Sequence, residues 1–317
     1  MKLIVSHLTA LNGYVTREFH EVMNGLITNH GWRHIETMQL WQASGSLKQR
    51  LRDWFDELPE IILFWESYEF LCAHISEINN LDCHKVFMAD DLHFCDEEWR
   101  SNKLISFRSC ATILSTNAHL LNRFYPELSP VKEVVWIPHA AASVFLTEYN
   151  ENPENSILLS GAISRHYPLR EEMKRLHEQG LYPIAYHRHP GYHCNFDHRL
   201  DPNVGRGYAA KLNQHRVCFT DSLTFNYLVA KYFEIPATGA LLFADDAVDE
   251  QLKQLGFIAG EHYFPVSKGN LEESIRYVLD QANQDEMDAI RKRGQQLVWE
   301  RHKTTDRARR INEVCAA

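Results

Sequence analysis

The stretch ILLSGAISRHYPLREEMKRLHEQGLYPIAYH, residues 157–187, decides the fold class of this chain. Its first five residues form an apolar run that predicts a buried strand, Ile157–Gly161. A helix is predicted over Tyr167–Gln179, with Pro168 in its first turn, and a second strand over Tyr182–His187. Two strands joined by a crossover helix run parallel, so the stretch predicts one unit of a doubly wound α/β sheet.

Strands and helices alternate in the same way on both sides of this stretch. Short apolar runs predict the strands, and apolar residues spaced three and four apart predict the buried faces of the helices. Before the stretch, the predicted strands are Lys2–His7, His34–Leu40, Glu60–Trp65, His84–Ala89, Cys110–Leu114 and Val131–Ile137. After it, the predicted elements are the strands Val217–Thr220 and Ala240–Ala244, the helix Leu223–Phe233 between them, and two closing helices over residues 271–284 and 285–302.

The length of 317 residues suits two domains of about 150 residues each. The polar, proline-containing segment Thr147–Ser156 is the best candidate for the linker between them. We therefore expect two Rossmann-like α/β domains, residues 1–146 and 156–317, that face each other across a cleft. In such an arrangement the last predicted helix, over residues 285–302, can return to pack on the first domain.

Composition and charge exclude several classes of protein. The 33 basic and 42 acidic residues give a net charge of −9, which argues against nonspecific binding to nucleic acid. No apolar run reaches the roughly 18 residues that span a bilayer, and the N-terminus is too polar at His7 for a signal peptide, so we expect a cytoplasmic protein without a transmembrane segment. The seven cysteines include no CxxC pair, and the Walker, GxGxxG and GxSxG patterns are absent.

The segment KYFEIPATGALLFADD, Lys231–Asp246, carries the strongest functional signal. The predicted helix ends at Phe233, which puts Glu234 on the turn before the next strand. Ligands of open α/β sheets bind beyond the carboxyl ends of the strands, where a single carboxylate can accept two hydrogen bonds from a ribose diol. The alternative is that Glu234 caps the helix or pairs with Lys231.

The run FEIPATG, followed by an apolar strand and an acidic residue, resembles the C-terminal domain of CgeB-like glycosyltransferases of the spore maturation protein type, relatives of the group-1 GT-B families. The region GEHYFPV (Gly260–Val266) is similar too, and MADDLH (Met88–His93) and VVWIPHAA (Val134–Ala141) extend the resemblance to most of the chain. It implies the GT-B fold, a nucleoside diphosphate sugar as donor, no cofactor, and Glu234 as the ligand of the donor ribose.

The chain departs from the group-1 pattern at one position. Those families carry a second glutamate seven residues earlier, which faces the donor sugar and phosphate, and Tyr227 stands there in this chain. Tyr227 is therefore kept as a donor-site position without the role of that glutamate. The identity of the donor and the stereochemistry of transfer stay open.

The strand end at Gly161 and the helix that follows predict a site for the donor diphosphate. A helix N-terminus attracts anions, and the loop before Tyr167 carries an arginine, Arg165. The resemblance also implies that this loop flanks the diphosphate. Arg165 is our first choice for the phosphate contact and Arg170 the second, although Arg170 is as readily explained as a solvated charge on a helix face.

The histidine-rich segment AYHRHPGYHCNFDHRL, residues 185–200, is expected to line the same site. His187, Arg188 and His189 directly follow a predicted strand and offer hydrogen-bond donors. The spacing of the histidines matches no common zinc pattern, so we expect no metal here.

The loop before the predicted helix Leu223–Phe233 is a further donor-site candidate. Ser222 and Thr224 are expected there because backbone N–H groups at the start of a helix can reach a phosphate. A capping role for Ser222 or Asp221 is the simpler alternative, and the two are compatible.

In the first domain, Asp90, Asp91 and His93 follow the fourth strand, and paired acids at a strand end can act as a general base for an acceptor hydroxyl. One of them could instead cap a helix near Asp96. His139, after the last strand of this domain, is a fourth catalytic candidate and could instead be a packing histidine.

These residues favour a metal-independent glycosyltransferase that moves a sugar from a nucleoside diphosphate donor to a hydroxyl of a glycan or small-molecule acceptor. Two alternatives remain: a GT-B module that binds nucleotide or glycan without catalysis, which the tyrosine at position 227 favours, and a nucleotide-sugar epimerase on the same fold. A glucosyltransferase that modifies DNA is disfavoured by the net charge of −9.

Overall fold

The computed structural model describes residues 1–128 and 132–316, and the chain divides into two compact units. Unit 1 comprises Met1–Asn12, Phe19–Pro138 and Arg307–Ala317, and unit 2 comprises Gly13–Glu18 and His139–Asp306. The division falls at Pro138 and His139, ahead of the segment Thr147–Ser156 in which we expected a linker. That segment already belongs to unit 2, since its last residues begin a strand at Glu154.

Unit 1 contains a six-stranded parallel sheet. Its strands are β1 (Lys2–Ser6), β2 (Arg33–Glu36), β3 (Ile61–Trp65), β4 (His84–Ala89), β5 (Thr112–Ser115) and β6 (Glu133–Trp136). They lie in the order β2-β1-β3-β4-β5-β6. Strands covered on both faces read as continuous apolar runs, which is why the sequence located the central strands to within two residues.

The helices of unit 1 connect these strands. They are α1 (Leu8–Asn12), α2 (Glu18–His30), α3 (Thr37–Gln42), α4 (Leu47–Phe55), α5 (Tyr68–Ala73), α6 (Ile75–Asn79), α7 (Glu97–Ser109) and α8 (Leu121–Phe124), with 3-10 turns at Ala118–Leu120 and Pro126–Leu128. Two caps are visible: Ser46 accepts from the N–H of Gln49, and Asp96 accepts from the N–H of Trp99. The cap of α7 is therefore Asp96 itself, and neither Asp90 nor Asp91.

Unit 2 contains a five-stranded parallel sheet. Its strands are β7 (Glu154–Gly161), β8 (Ile184–Arg188), β9 (His215–Thr220), β10 (Leu241–Asp245) and β11 (Phe264–Val266), in the order β11-β10-β9-β7-β8. Its helices are α9 (Pro168–Glu178), α10 (Gly205–Gln214), α11 (Lys231–Ala237), α12 (Asp249–Gln254), α13 (Leu271–Leu279) and α14 (Gln284–Arg301), with 3-10 turns at Ser143–Phe145, Asp246–Val248 and Gln281–Asn283.

A last helix, α15 (Thr304–Ala316), was not expected from the sequence. Ala308, Ile311 and Cys315 on this helix belong to the buried core of unit 1. These residues are spaced three and four apart, as expected for the buried face of a helix. The many charged residues between them made this pattern hard to recognise in the sequence.

Two predicted elements are wrong. The strand expected over His34–Leu40 ends at Glu36, and α3 follows at once, because the buried residues Thr37 and Leu40 are one helical turn apart. The helix expected over Leu223–Phe233 does not begin at Leu223: the chain turns there, and α11 starts only at Lys231. The strand expected from Val131 is found as β6, and Val131 itself lies outside the described residues.

Candidate functional site

Glu234 lies inside α11 and not on the turn that the sequence predicted. Its side chain is buried, with 5% of the residue exposed, and its carboxylate accepts no hydrogen bond from any residue in the described ranges. Burial raises the pKa of this carboxyl above its usual value, and nearby Lys231 opposes the shift. The carboxylate oxygens are not fully enclosed by protein. A carboxylate that has no protein partner and that solvent can still reach is a candidate ligand position.

Lys231 begins α11, one turn before Glu234, and the sequence suggested it only as a partner that would neutralise Glu234. Its ammonium donates to the hydroxyl of Tyr208 at 2.6 Å, and that hydroxyl lies 2.7 Å from Oγ of Ser160 at the end of β7. Burial lowers the pKa of Lys231 to about 8, although Glu234 favours its charged form. Lys231 and Tyr208 thus join the candidate site, and sequence reasoning did not single them out as such.

Gly161 ends β7 with φ at +102°, a backbone conformation that favours glycine. A Cβ atom here would lie 2.8 Å from Nη1 of Arg170 and 2.9 Å from Cε of Lys231. The glycine therefore lets the end of the strand approach two cationic side chains. The sequence predicted Gly161 at the end of a strand, and β7 does end there. The close contacts of a Cβ atom explain why the residue is glycine.

Arg170 is neither the solvated charge nor the free phosphate ligand that the sequence offered as alternatives. It is 2% exposed, its guanidinium lies 2.8 Å from the carboxylate of Asp221, and its Nη2 donates to Oγ1 of Thr220 at 3.0 Å. Its plane also lies over the ring of Tyr167, 3.9 Å from the ring centre. Arg170 and Tyr167 therefore hold the end of β9 against the start of α9.

The loop after β9 is shaped by two buried carboxylates. Asp245, at the end of β10, accepts from the N–H and Oγ of Ser222 at 3.0 and 2.6 Å, and also from the hydroxyl of Tyr232. Burial raises the pKa of Asp221 to about 6, with Arg170 opposing the shift. Ser222 is thus committed to Asp245 and does not cap a helix.

No helix starts at the predicted positions in this loop because Leu223 and Asn226 adopt positive φ angles, +62° and +63°. Such angles are uncommon outside glycine and are found where surrounding contacts impose them. Thr224 is exposed, with its N–H bound to the carbonyl of His166 at 2.9 Å, while Tyr227 is buried. Tyr227, at the position of the absent glutamate, is therefore buried in this loop, and its assignment to the donor site stays a prediction.

The histidine-rich segment contributes two partly buried imidazoles. His187, in β8, stacks on the ring of Tyr208 at 5.5 Å, and its Nδ1 lies 3.2 Å from the ammonium of Lys211. Burial lowers the pKa of His189 to about 4, and Lys231 and Arg170 act in the same direction. Burial is thus the main reason, and the two cations the second, that the neutral imidazole of His189 is favoured. Arg188, which ends β8, is exposed.

Arg165, unlike Arg170, is exposed and is not paired with a carboxylate of the described residues. It is exposed in the loop between β7 and α9 and makes no hydrogen bond or ion pair within the described residues. A guanidinium without a protein partner is free to bind a phosphate in a bidentate manner. The prediction of Arg165 as a phosphate ligand stays open and is consistent with this geometry.

His139 begins the long segment of unit 2 and pairs with a residue that the sequence did not single out. Its Nδ1 lies 2.8 Å from Oε2 of Glu18, and the N–H of Ala140 donates to Oε1 of the same carboxylate at 2.7 Å. All of these groups are buried, and the charges of both Glu18 and His139 influence the pKa of Glu234. Such a carboxylate orients an imidazole and stabilises its protonated form.

The predicted acids of unit 1 lie together beyond β4. Asp90 accepts from Oγ1 of Thr116 at 2.8 Å, and the carboxylate of Asp91 lies 3.9 Å from Nδ1 of His93. The N–H of Asp90 donates to Oε1 of Glu66 at 2.7 Å. Glu66, directly after β3, is a carboxylate that no sequence motif distinguished.

Taken together, unit 2 offers a buried carboxylate acceptor with cationic groups nearby. Arg170 is already paired with Asp221, so Lys231 is the cation near Gly161 and His189 that suits a polyanion. The carboxylate of Glu234 suits a donor of hydrogen bonds such as a diol. A nucleoside diphosphate carries both features. In residues 1–128 and 132–316, no three histidine, cysteine or acidic side chains are arranged to hold a metal ion.

Comparisons with known proteins bear on the family and the fold of this chain. Residues 165–313, just under half of the chain, match the model of a family described as glycosyl transferase-like. A search of curated protein sequences found no significant match.

Solved structures match the whole chain. Sucrose-phosphate synthase from Thermosynechococcus elongatus has a TM-score of 0.68 at 10% identity, over 99% of this chain and 97% of that one. Anabaena HepE in complex with UDP-glucose has a TM-score of 0.59 at 10% identity, over 100% and 99%. An alpha-glucosyltransferase in complex with UDP-glucose and DNA containing an abasic site has a TM-score of 0.61 at 10% identity, over 100% and 99%.

At such low identity the likeness establishes the fold and not the reaction. The chain has two Rossmann-like α/β domains and the GT-B fold, as the sequence predicted. In the described part of the chain, no helix is both long and apolar enough to cross a membrane.

Proposed function

We propose that this protein is a metal-independent glycosyltransferase that moves a sugar from a nucleoside diphosphate donor, held by unit 2, to an acceptor hydroxyl. The observation that carries the proposal is the carboxylate of Glu234, which is buried and yet accepts no hydrogen bond within the described residues. The match of residues 165–313 to the glycosyl transferase-like family covers this position. The closer assignment to the CgeB-like type is part of the proposal and rests on the sequence resemblance.

Glu234 is proposed to bind the donor ribose. Its two oxygens can accept hydrogen bonds from the two ribose hydroxyls, which would give the buried carboxylate the partners that it lacks. Lys231 lies one turn before Glu234 on α11 and is proposed to contact the diphosphate, which is attached to the ribose.

Arg165 and Lys231 are proposed to stabilise the leaving group. In the reaction, the bond between the anomeric carbon and the diphosphate oxygen breaks, a bond to the acceptor oxygen forms, and the acceptor loses its proton. The nucleoside diphosphate leaves with additional negative charge, and cations fixed beforehand stabilise that charge without a metal ion.

His139 is proposed as the group that accepts the proton. Its pairing with Glu18 is the arrangement in which a carboxylate fixes the tautomer of an imidazole and stabilises its protonated form. Asp90, Asp91 and His93 of unit 1 remain alternative candidates for this role.

UDP-sugars are the donors to test first, because the similar HepE and alpha-glucosyltransferase structures are complexes with UDP-glucose. The latter also contains DNA, but the net charge of −9 leads us to propose a glycan or small-molecule acceptor for this chain. Duplex DNA belongs in the acceptor panel as the contrary case.

The proposal is tested by thermal shift with UDP, GDP, ADP and their glucose conjugates, followed by product analysis. A ligand that binds only the folded state raises the melting temperature. Transfer of sugar to a supplied hydroxyl supports the proposal, whereas conversion of the donor without an acceptor would indicate an epimerase. Binding without any turnover across the acceptor panel would favour the non-catalytic module, and no shift with any nucleotide would overturn the donor site.

A further inference from the structure

Unit 1 contains a small cavity at the carboxyl ends of β1, β2 and β3 that the proposed donor site does not use. Its volume is about 220 Å³, below the roughly 300 to 1,000 Å³ that is common for sites of drug-sized ligands. The space suits one sugar ring and is too small for a nucleotide. The lining residues that matter for its chemistry are Trp41, Glu66, Tyr68, Glu69, Phe70 and Trp99.

Glu66 is the residue in this wall whose conformation calls for an explanation. It has φ at +49°, in the left-handed region, which is strained for a residue other than glycine. Such strain is concentrated at functional sites. The conformation brings the carboxylate within reach of the hydroxyl of Tyr68 and the N–H of Asp90, which donate at 3.1 and 2.7 Å.

Both of these hydrogen bonds go to Oε1 of Glu66. The other oxygen, Oε2, accepts none from the residues that the structure describes. One oxygen therefore fixes the carboxylate in position, while the second remains available to a ligand. Burial raises the pKa of this carboxyl to about 7; Asp90 and Asp91 act in the same direction, and Lys103 opposes them.

Among the described residues, no lysine or arginine lines this cavity, and His7 is the basic side chain in its wall. Lys103 lies behind it, 1% exposed, and its ammonium donates to the backbone carbonyls of Asp91 and His93. The cavity instead presents Glu66 and Glu69, which repel phosphate and favour neutral hydrogen-bond donors such as hydroxyl groups.

Two tryptophan rings at the cavity are partly exposed and yet held in place. Trp99 is 42% exposed, with the ammonium of Lys103 5.0 Å from the centre of its ring. Trp41 is 36% exposed and meets the rings of Phe70 and His74 edge-on at 6.0 and 5.6 Å. A tryptophan ring offers a large apolar face, and a ring that is already held in place loses little conformational freedom on binding. Such a ring is suited to pack against the C–H face of a pyranose ring.

We infer that this cavity is a subsite for one pyranose ring of the acceptor, which packs on Trp41 or Trp99 and donates a hydroxyl hydrogen bond to Oε2 of Glu66. The inference rests on the proposed function in one respect: a sugar bound here is an acceptor only if the protein transfers sugars. It deepens that function by assigning the acceptor to carbohydrates. The sugar-binding cavity itself is defined by residues of unit 1 alone.

The inference can be tested by saturation-transfer NMR without any nucleotide. The probes are the methyl α- and β-pyranosides of glucose, galactose, mannose and N-acetylglucosamine, each at millimolar concentration, with the full-length protein. We expect at least one glycoside to bind, Trp99→Ala or Trp41→Ala to weaken that binding at least tenfold, and Glu66→Gln to weaken it several-fold.

Trp54→Ala is the matched control, because Trp54 is also 42% exposed in unit 1 but lines a different cavity, beside Phe55. It should leave glycoside binding unchanged. Glu66→Gln keeps the shape of the side chain and an oxygen for Tyr68 and Asp90, so it reports on the ligand even if a tryptophan variant is unstable. The inference is overturned if no glycoside binds, or if Trp54→Ala reduces binding as much as Trp99→Ala.

Nucleotide titrations of the same variants separate this inference from the proposed function. Trp99→Ala should bind UDP as the unaltered protein does, since Trp99 lies in unit 1 and the proposed donor residues lie in unit 2. Nucleotide binding without glycoside binding refutes the sugar subsite and leaves the donor site standing. Glycoside binding without nucleotide binding refutes the donor site and leaves a sugar-binding protein.

Discussion

Replacing Glu234 by glutamine should weaken the binding of a nucleoside diphosphate by about 30- to 150-fold while leaving the protein folded. Glutamine has nearly the same shape, so the variant removes the charge and one acceptor oxygen and little else. The carboxylate accepts no hydrogen bond within the described residues, so the substitution breaks none. A loss of ligand affinity in the variant therefore cannot be attributed to a disturbed fold.

The magnitude follows from the two hydrogen bonds that the ribose diol would donate. A hydrogen bond to a charged group contributes about 1.5–3 kcal/mol, roughly twice the contribution of a neutral one. Loss of the charge from two such bonds should therefore cost about 2–3 kcal/mol, and each 1.4 kcal/mol changes the dissociation constant tenfold. The free energy of unfolding should not fall, because a buried charge costs more to desolvate than a buried amide.

The assay is calorimetric titration with UDP and with its 2′,3′-dideoxy analogue, or with the GDP pair if GDP gives the larger thermal shift. The unaltered protein should prefer the diol by about the factor that Glu234→Gln loses. The variant should bind both ligands similarly, which makes the four measurements a cycle for the contact between Glu234 and the ribose. Glu250→Gln, an exposed acid in α12, is the control and should behave as the unaltered protein does.

Two results would refute this reasoning. One is Glu234→Gln binding UDP as tightly as the unaltered protein. The other is an equal loss of affinity for UDP and for the dideoxy analogue, which would mean that Glu234 acts on the site without touching the ribose.

Further predictions concern the charges around this site. Arg165→Ala should lower the affinity for UDP about tenfold but leave uridine binding unchanged, while the exposed Arg276→Ala should alter neither in the same titration. The affinity for UDP should fall as the pH rises through about 8, where Lys231 loses its charge, and Lys231→Met should abolish this dependence; an unaltered pH profile would exclude a phosphate contact. Arg170→Ala should destabilise the fold by about 3–5 kcal/mol in urea, because it leaves the buried carboxylate of Asp221 unpaired; a loss below about 1 kcal/mol would contradict that role. Treatment with EDTA should change neither the melting temperature nor sugar transfer, and activity restored only by Mn²⁺ would refute metal independence.

Much of the fold could be predicted from the sequence because buried parallel strands are strong local signals. The run ILLSG at 157–161 and the run IILFW at 61–65 are almost entirely apolar, and the structure has strands at both places. The spacing of apolar residues over Leu223–Phe233 fits a helix, but the predicted helix is wrong. Ser222 donates two hydrogen bonds to the carboxylate of Asp245, and these hold the chain in a turn there. Asp245 is 23 residues further along the chain, beyond the reach of local periodicity.

The candidate site was only partly predictable for the same reason. Glu234 and Gly161 stand next to strand ends, where α/β proteins bind ligands, and sequence position alone pointed to both. Lys231 and Glu66 also lie near strand or helix ends, but no motif distinguished them from surface charges. Their importance depends on burial and on what each side chain contacts.

The sequence by itself determined the class of fold, the two sheets and the stretch that contains Glu234, because periodicity and apolar runs depend on neighbours along the chain. Only the tertiary structure decided which charges are already paired and which remain for a ligand. Arg170 and Asp221 are 51 residues apart in sequence and neutralise one another, while Glu18 reaches His139 across 121 residues. The free energy of a buried charge is set by the groups packed around it in space, and folding brings those groups together from distant parts of the chain.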